Sequence, residues 1–201
     1  MKVCRSVSLY TVFAFLAALA GFPLFAQPQE KSPTPAKPAP LPTAETLTQS
    51  GEGFSYQVRT PQGWQQQTFK TQPASVLFYQ SKGQLKDGVG VIRIQLNPEE
   101  AESIAADLKN DMDDYREQYP KVEFKDLALA HPRYEVAAKD FTVAGQFHEY
   151  VAYVSPYKGC PFMFSVALNT GKNPAQEAQL AGLRAAVESI ELLTPKPPAA
   201  K

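Results

Sequence analysis

Apolar and polar side chains alternate most regularly between residues 147 and 168, and this pattern predicts two β-strands joined by a turn. The first strand covers residues 147–154, the turn 155–159 and the second strand 160–168. A turn placed midway pairs Val154 with Pro161. In this register one face of the hairpin carries the larger apolar side chains, which are Tyr153, Val151, Phe147, Phe162, Phe164 and Leu168. The other face is also too apolar to be left in water, so we expect other elements to cover both faces.

Shorter alternating segments predict further strands. They span residues 54–60, 65–69, 75–80, 89–96 and 132–143, and residues 122–129 are either a strand or irregular. Turns are predicted at 61–64, at Asp87 with Gly88, and at Ala144 with Gly145. The last of these turns leads directly into the hairpin, so residues 132–168 are predicted to form three consecutive antiparallel strands.

Two stretches have helical periodicity instead. The first is predicted to begin with Asn97 as the N-cap and Pro98 at the first helical position, and to end before Pro120. The second begins with the same chemistry at Asn173 and Pro174 and runs to about Ser189. Their apolar stripes are Ile104, Leu108, Met112, Tyr115 and Tyr119 in the first, and Leu180, Leu183, Val187 and Ile190 in the second. Two amphipathic helices match two apolar sheet faces, which predicts an α+β fold: an α/β/α sandwich with a central, mainly antiparallel sheet and one main helix on each face.

The ends of the chain differ in composition from this predicted domain. Lys2 and Arg5 precede an apolar run over 7–22, which predicts a secretory signal peptide over 1–26 with cleavage after Ala26, or alternatively after Ala20. Residues 27–50 are proline-rich and predict a disordered linker, 51–193 form the domain, and 194–201 form a disordered tail. The protein is therefore expected to be exported, to the periplasm or the extracellular space, and to be membrane-tethered if the leader is not cleaved.

Charge and cysteine content suggest no particular partner. The whole chain has 20 basic and 20 acidic side chains, and loss of Lys2 and Arg5 with the leader leaves 18 against 20. A nearly neutral protein has no bulk attraction for nucleic acid or anionic lipid. Cys160 is the only thiol left after cleavage, so it is either buried and inert or paired with another molecule.

Carboxylates provide the candidate contact residues. Asp107, Asp111 and Asp114 share one face of the first helix, which is either a solvated acidic surface or a docking surface for a basic partner. The turn at residues 144–145 places Asp140 opposite Glu149, where two like charges would repel unless a cation lies between them. A shift of one residue would bring Lys139 to this position and make an ordinary salt bridge.

Other candidate chemistry is weaker. His131 and His148 are predicted to lie about 33 Å apart along the strands, too far to share a metal ion. No nucleophile motif or phosphate loop is present, so no cofactor and no enzymatic activity are predicted. Trp64 either lines an aromatic groove with Tyr56 and Tyr79 or closes the end of the core.

The order of elements resembles that of a known superfamily. The order is a strand, the turn of Pro61, Gly63 and Trp64, two strands, a long helix, a strand meander and a final helix ending near 189–193. This order resembles that of the PsbP-like superfamily. This superfamily groups the photosystem II subunit PsbP, a yeast Ran-binding nuclear import factor and exported bacterial proteins of the DcrB type. The resemblance covers residues 54–193 and implies an α/β/α sandwich that serves as a non-enzymatic binding or assembly module.

The sequence thus predicts an exported, monomeric, non-enzymatic module of the cell envelope that contacts an envelope protein or a small ligand. Nucleic acid is not an expected partner, and neither is membrane insertion after signal cleavage. The predicted contact is the acidic helix face or the region of Trp64. The alternative is a small-molecule or lipid carrier, with a cavity between sheet and helix lined by Tyr115, Tyr119, Phe162 and Phe164.

Overall fold

A computed structural model describes residues 45–69, 74–80, 90–98 and 103–195. The predicted leader, most of the linker, the turn at Asp87 and Gly88, and the last six residues lie outside these ranges. The described strands are β1 (Thr46–Gly51), β2 (Phe54–Arg59), β3 (Gln65–Thr68), β4 (Ser75–Tyr79), β5 (Val91–Pro98), β6 (Glu123–Asp126), β7 (Glu135–Val143), β8 (Phe147–Ser155), β9 (Phe162–Gly171) and β10 (Glu191–Thr194). The described helices are α1 (Ile104–Gln118) and α2 (Glu177–Ser189). The fold is therefore α+β, as predicted.

The strands form two antiparallel sheets. The larger has seven strands in the order β3-β4-β5-β9-β8-β7-β6, and the smaller has three in the order β1-β2-β10. The predicted meander of three consecutive strands is confirmed by the neighbouring positions of β7, β8 and β9. Among the described residues, neither helix combines the length and the apolar character needed to cross a membrane.

The small sheet was not predicted, and it corrects the domain boundaries. β1 overlaps the end of the stretch 27–50, which is predicted as a disordered linker, and its residue Thr46 pairs with Arg59 of β2. β10 pairs with the other edge of β2. Backbone pairing with β2 therefore adds a strand from each end of the domain, which begins before Gly51.

The start of the first helix also differs from the prediction. Asn97 and Pro98 end β5, because both residues pair with β9. The helix begins at Ile104, where the side chain of Ser103 caps it by accepting a hydrogen bond of 3.2 Å from the backbone N–H of Ala106. The predicted apolar stripe is confirmed, since Ile104 and Leu108 are buried.

The second helix begins at Glu177 rather than near Asn173. The backbone N–H of Gln176 donates to the side-chain oxygen of Gln179, at 2.8 Å, at the start of the helix. Its C-terminal residue, Ser189, is the predicted one. Gly182 and Leu183 lie on its buried face.

Two apolar clusters form the core. The α2 core includes Leu183, Ala186 and Val187 of α2 together with Ile92, Ile94, Phe164, Val166 and Leu168 of the large sheet. The α1 core includes Ile104 and Leu108 of α1 together with Phe141, Val151, Tyr153 and Met163. Successive residues of β8 alternate between the clusters, since Ala152 belongs to the α2 core and Val151 to the α1 core. Both faces of this strand are buried, as its sequence predicts.

The register of the central hairpin corrects the predicted pairing. Val154 pairs with Phe164 rather than Pro161. A shift by an odd number of residues turns every side chain of the second strand to the other face, so Phe164 shares a face with Val154 and not with Tyr153. The cause is the loop 156–161, in which Cys160 is buried and Gly159 has a φ of 76°.

Candidate functional site

An open cleft of about 600 Å³ lies where the end of β2, the segment before β7 and the last turns of α2 meet. Its volume is within the range of small-ligand sites. Its chemistry is set by small apolar side chains and by two opposite charges. The apolar residues are Pro61, Ala130, Pro132 and Ala185, and the charged residues are Arg59 and Glu188. The cleft thus has an apolar surface with a cation and an anion beside it.

His131 fixes one wall of the cleft. Its Nδ1 atom accepts hydrogen bonds from the backbone N–H groups of Arg133, at 3.1 Å, and Tyr134, at 3.0 Å. Nε2 therefore carries the proton and donates to the carbonyl of Ile190 at 3.0 Å. Burial lowers the pKa of His131, and donation to Ile190 acts in the opposite direction. This histidine is a neutral structural link, with both ring nitrogens already used.

Ser189 fixes the opposite wall. Its hydroxyl accepts a hydrogen bond of 3.0 Å from the backbone N–H of Arg59 and donates to the carbonyl of Ala186 at 2.9 Å. These contacts hold the end of β2 against α2. The side chains of Arg59 and Glu188 remain exposed, and among the residues that the structure describes no ion pair engages either one. Both charges are therefore available to a ligand.

A second polar cluster lies between α1 and β8. Tyr153 donates a hydrogen bond to the carboxylate of Asp111, and Tyr115 donates one of 2.5 Å to Glu149. Burial raises the pKa of both carboxyl groups, and the tyrosine hydrogen bonds act in the opposite direction. The charge of Asp111 further raises the pKa of Glu149, whereas that of Arg93 lowers it. Two candidate residues are thus brought together, as a half-buried pair between helix and strand.

The predicted pairing of Asp140 with Glu149 is wrong. Asp140 lies opposite Tyr150 and Glu149 lies opposite Phe141, so the two carboxylates point to opposite faces of the sheet. The reason is a three-residue turn over 144–146, in which Gly145 has a φ of 74° and Val143 pairs with Phe147. Neither the like-charge pair nor the alternative salt bridge from Lys139 to Glu149 forms in this register.

Asp140 instead belongs to a short polar chain. The hydroxyl of Thr142 donates to Asp140 at 3.0 Å and lies 3.1 Å from Nδ1 of His148. Because the Thr142 proton is directed to Asp140, His148 donates through Nδ1. The two histidines thus take part in separate hydrogen-bond networks, and within the described ranges no group of three or more His, Cys, Asp or Glu residues could hold a metal ion.

The predicted acidic face of α1 is not a uniformly solvent-exposed surface. Asp107 is buried, Asp111 faces β8, and only Asp114 of the three is exposed. Exposed Asp113 instead joins Lys109 in an ion pair on the helix surface.

Trp64 closes the end of the core, which is the second of the two positions predicted for it. Its side chain is 3% exposed and belongs to the α2 core, where its indole lies against Gly182. The side chain therefore closes the core and offers little surface to a partner.

The four residues predicted to line a carrier cavity do not face one space. Tyr115 and Tyr119 pack on Phe147, with ring centroids 6.1 and 5.1 Å away. Phe162 and Phe164 belong to the aromatic contacts of the α2 core, together with Phe54 and Tyr56.

Sequence reasoning missed the cleft. Pro61 and Pro132 each mark a chain turn at its edge, but nothing in the sequence indicates that these turns meet. His131 joins the segment of Pro132 to Ile190, 59 residues away, and Ser189 joins the end of β2 to α2 through the backbone N–H of Arg59. No family model and no curated protein matches the chain. The function is therefore inferred from the geometry of these residues.

Proposed function

We propose that the domain is an α/β/α sandwich of the PsbP-like kind, with one helix on each face of the seven-stranded sheet. The alternation along β8 supports this arrangement. Val151 and Tyr153 pack in the cluster that contains α1 residues, whereas Ala152 and Val154 pack in the cluster that contains α2 residues. Alternate side chains of a strand point to opposite faces, so the two helices would cover different sides.

We propose further that the protein is an exported, non-enzymatic binding or assembly module of the cell envelope, with the cleft beside Arg59 as its contact. The observation that carries this proposal is the way the cleft is held. Its walls come from three separate segments, and the side chains of His131 and Ser189 join them through hydrogen bonds to the backbone. A surface fixed before binding loses little conformational entropy when it is occupied.

The chemistry of the cleft favours an extended protein segment. Ala130, Pro132 and Ala185 offer an exposed apolar surface, and the exposed Arg59 offers a cation for an acidic side chain. An open cleft of this kind suits a chain that lies across it better than a small molecule that must be enclosed. A small-molecule or lipid carrier remains the second candidate, with the cleft in place of the predicted internal cavity.

A non-enzymatic role fits the state of the titratable groups. Both ring nitrogens of His131 are hydrogen-bonded, and Asp111 and Glu149 each accept a tyrosine hydrogen bond beneath α1. A general base must reach its substrate proton, and these groups are already engaged by the fold.

Native mass spectrometry of the protein isolated from the cell envelope tests the proposal. Ala185→Trp would fill the cleft, and Ala178→Trp, in the first turn of the same helix, is the matched control. We expect a bound protein partner that is lost with Ala185→Trp and retained with Ala178→Trp. A bound small mass with the same dependence would favour the carrier, and no bound mass, or one retained by both variants, would contradict a role for the cleft.

A further inference from the structure

Two hydrogen bonds join α1 to β8 in opposite directions. Tyr153 of the strand donates to Asp111 of the helix, and Tyr115 of the helix donates to Glu149 of the strand. Both carboxylates are half-buried in the helix–sheet interface. The contacts therefore place two acidic groups at the interface that holds α1, where each negative charge disfavours the other.

We propose that Asp111 and Glu149 act as a proton-binding latch, so that α1 is docked most tightly when the pair holds a proton and loosens as the pH rises. The latch does not depend on the proposed function, because Asp111 and Glu149 lie between α1 and β8 and neither residue lines the cleft. It makes the attachment of α1 respond to the acidity of its surroundings.

The surrounding groups do not neutralise the pair. The titratable and charged groups around the pair are Asp107, Asp114 and Tyr119 on α1, Arg93 on β5 and Lys139 on β7. Lys139 forms its ion pair with Asp126 at the edge of the sheet. Arg93 is exposed, and its effect on Glu149 is smaller than that of burial.

The direction of the response follows from the pKa changes. Burial raises the pKa of Asp111 above its ordinary value of 3.8 and that of Glu149 above 4.5. A group whose pKa is higher in the docked state stabilises that state fully below its ordinary pKa, and this stabilisation is lost as the pH rises through the raised value. The attachment of α1 is therefore expected to weaken from about pH 4 upward.

Hydrogen exchange of the full chain, followed over a series of pH values, tests the latch. Protection factors are measured for amides of α1 relative to the central strand β5, in the wild type, in Glu149→Gln, and in Glu117→Gln as a control on the exposed surface of α1. We expect the relative protection of α1 in the wild type to fall with pH, by up to about tenfold for each unit by which a pKa is raised. Glu149→Gln keeps an acceptor for Tyr115 but no charge, so it should flatten this dependence, and Glu117→Gln should not.

Relative protection of α1 that stays constant or increases with pH in the wild type would overturn the proposal, as would equal flattening by the control. Carboxyl-group NMR titration of the wild type supplies a second measurement that does not depend on the folding of Glu149→Gln. Titration of Asp111 or Glu149 above its ordinary value supports the latch. Titration of both at or below their ordinary values would refute it.

Discussion

Gly182 provides a sharp test of how α2 is seated on the core. A Cβ atom at this position would lie 2.5 Å from Nε1, 2.7 Å from Cε2 and 2.8 Å from Cζ2 of Trp64. Cβ atoms in folded proteins essentially never come closer than 3.0 Å to a non-bonded heavy atom of another residue. Gly182→Ala therefore requires the helix or the buried indole to move.

Two opposing effects set the magnitude. Replacing glycine by alanine inside a helix normally stabilises the helix by about 1 kcal/mol. Inserting a methyl group into a packed core costs about 1–3 kcal/mol, and three close contacts with a rigid ring place Gly182→Ala at the upper end of this range. We expect a net loss of about 2 kcal/mol in the free energy of unfolding, measured by urea denaturation and far-ultraviolet circular dichroism.

Trp64→Phe supplies the control, because the smaller ring removes part of the indole that the methyl group would meet. In this background Gly182→Ala should cost at least about 1 kcal/mol less, which a double-mutant cycle detects. Equal costs in both backgrounds, or a Gly182→Ala protein as stable as the wild type, would refute the close packing of Trp64 on α2.

Three further substitutions test separate contacts by the same denaturation assay. His131→Asn should lower the free energy of unfolding by about 1–3 kcal/mol near pH 8. Burial lowers the pKa of His131, so the contribution of this residue to stability is lost as the pH falls. The difference in stability between His131→Asn and the wild type should therefore shrink below about pH 6.5. Ser103→Ala removes the N-cap of α1 and should cost about 1 kcal/mol. Phe164→Ala empties a fully buried position and should cost about 3–5 kcal/mol. A pH-independent effect of the first, or no loss in the others, would contradict these assignments.

The elements of the domain could be predicted from the sequence more reliably than their pairing. Alternation identified β7, β8 and β9 and the stripe of α1, because local periodicity reflects burial directly. Register depends on the loops instead. The predicted registers of both hairpins are wrong. The three-residue turn around Gly145 sets the register of β7 with β8, and the loop that buries Cys160 sets that of β8 with β9.

Local signals were misleading where distant partners decide the structure. Asn97 and Pro98 have the chemistry of a helix start, but pairing with β9 extends β5 through them. Strand β1 has a polar sequence and follows a proline-rich stretch, so nothing local predicts a strand; pairing with β2 makes it one.

The candidate site shows the same division. Asp111 and Glu149 could be identified as candidates by residue type, but their proximity depends on how α1 lies on β8. The cleft could not be predicted, because it arises where His131 meets Ile190 from a distant part of the chain.

The central claim is that the protein is a binding module that acts through the cleft. Site-specific photo-crosslinking in the cells that produce the protein tests this claim most directly. A photoreactive residue replaces Gln62 at the cleft, or exposed Lys158 in the loop between β8 and β9 as the control position. We expect crosslinking to one discrete partner from position 62 and none from position 158. Arg59→Ala should reduce the yield of the crosslink from position 62. Equal crosslinking from both positions, or none from position 62, would contradict the claim.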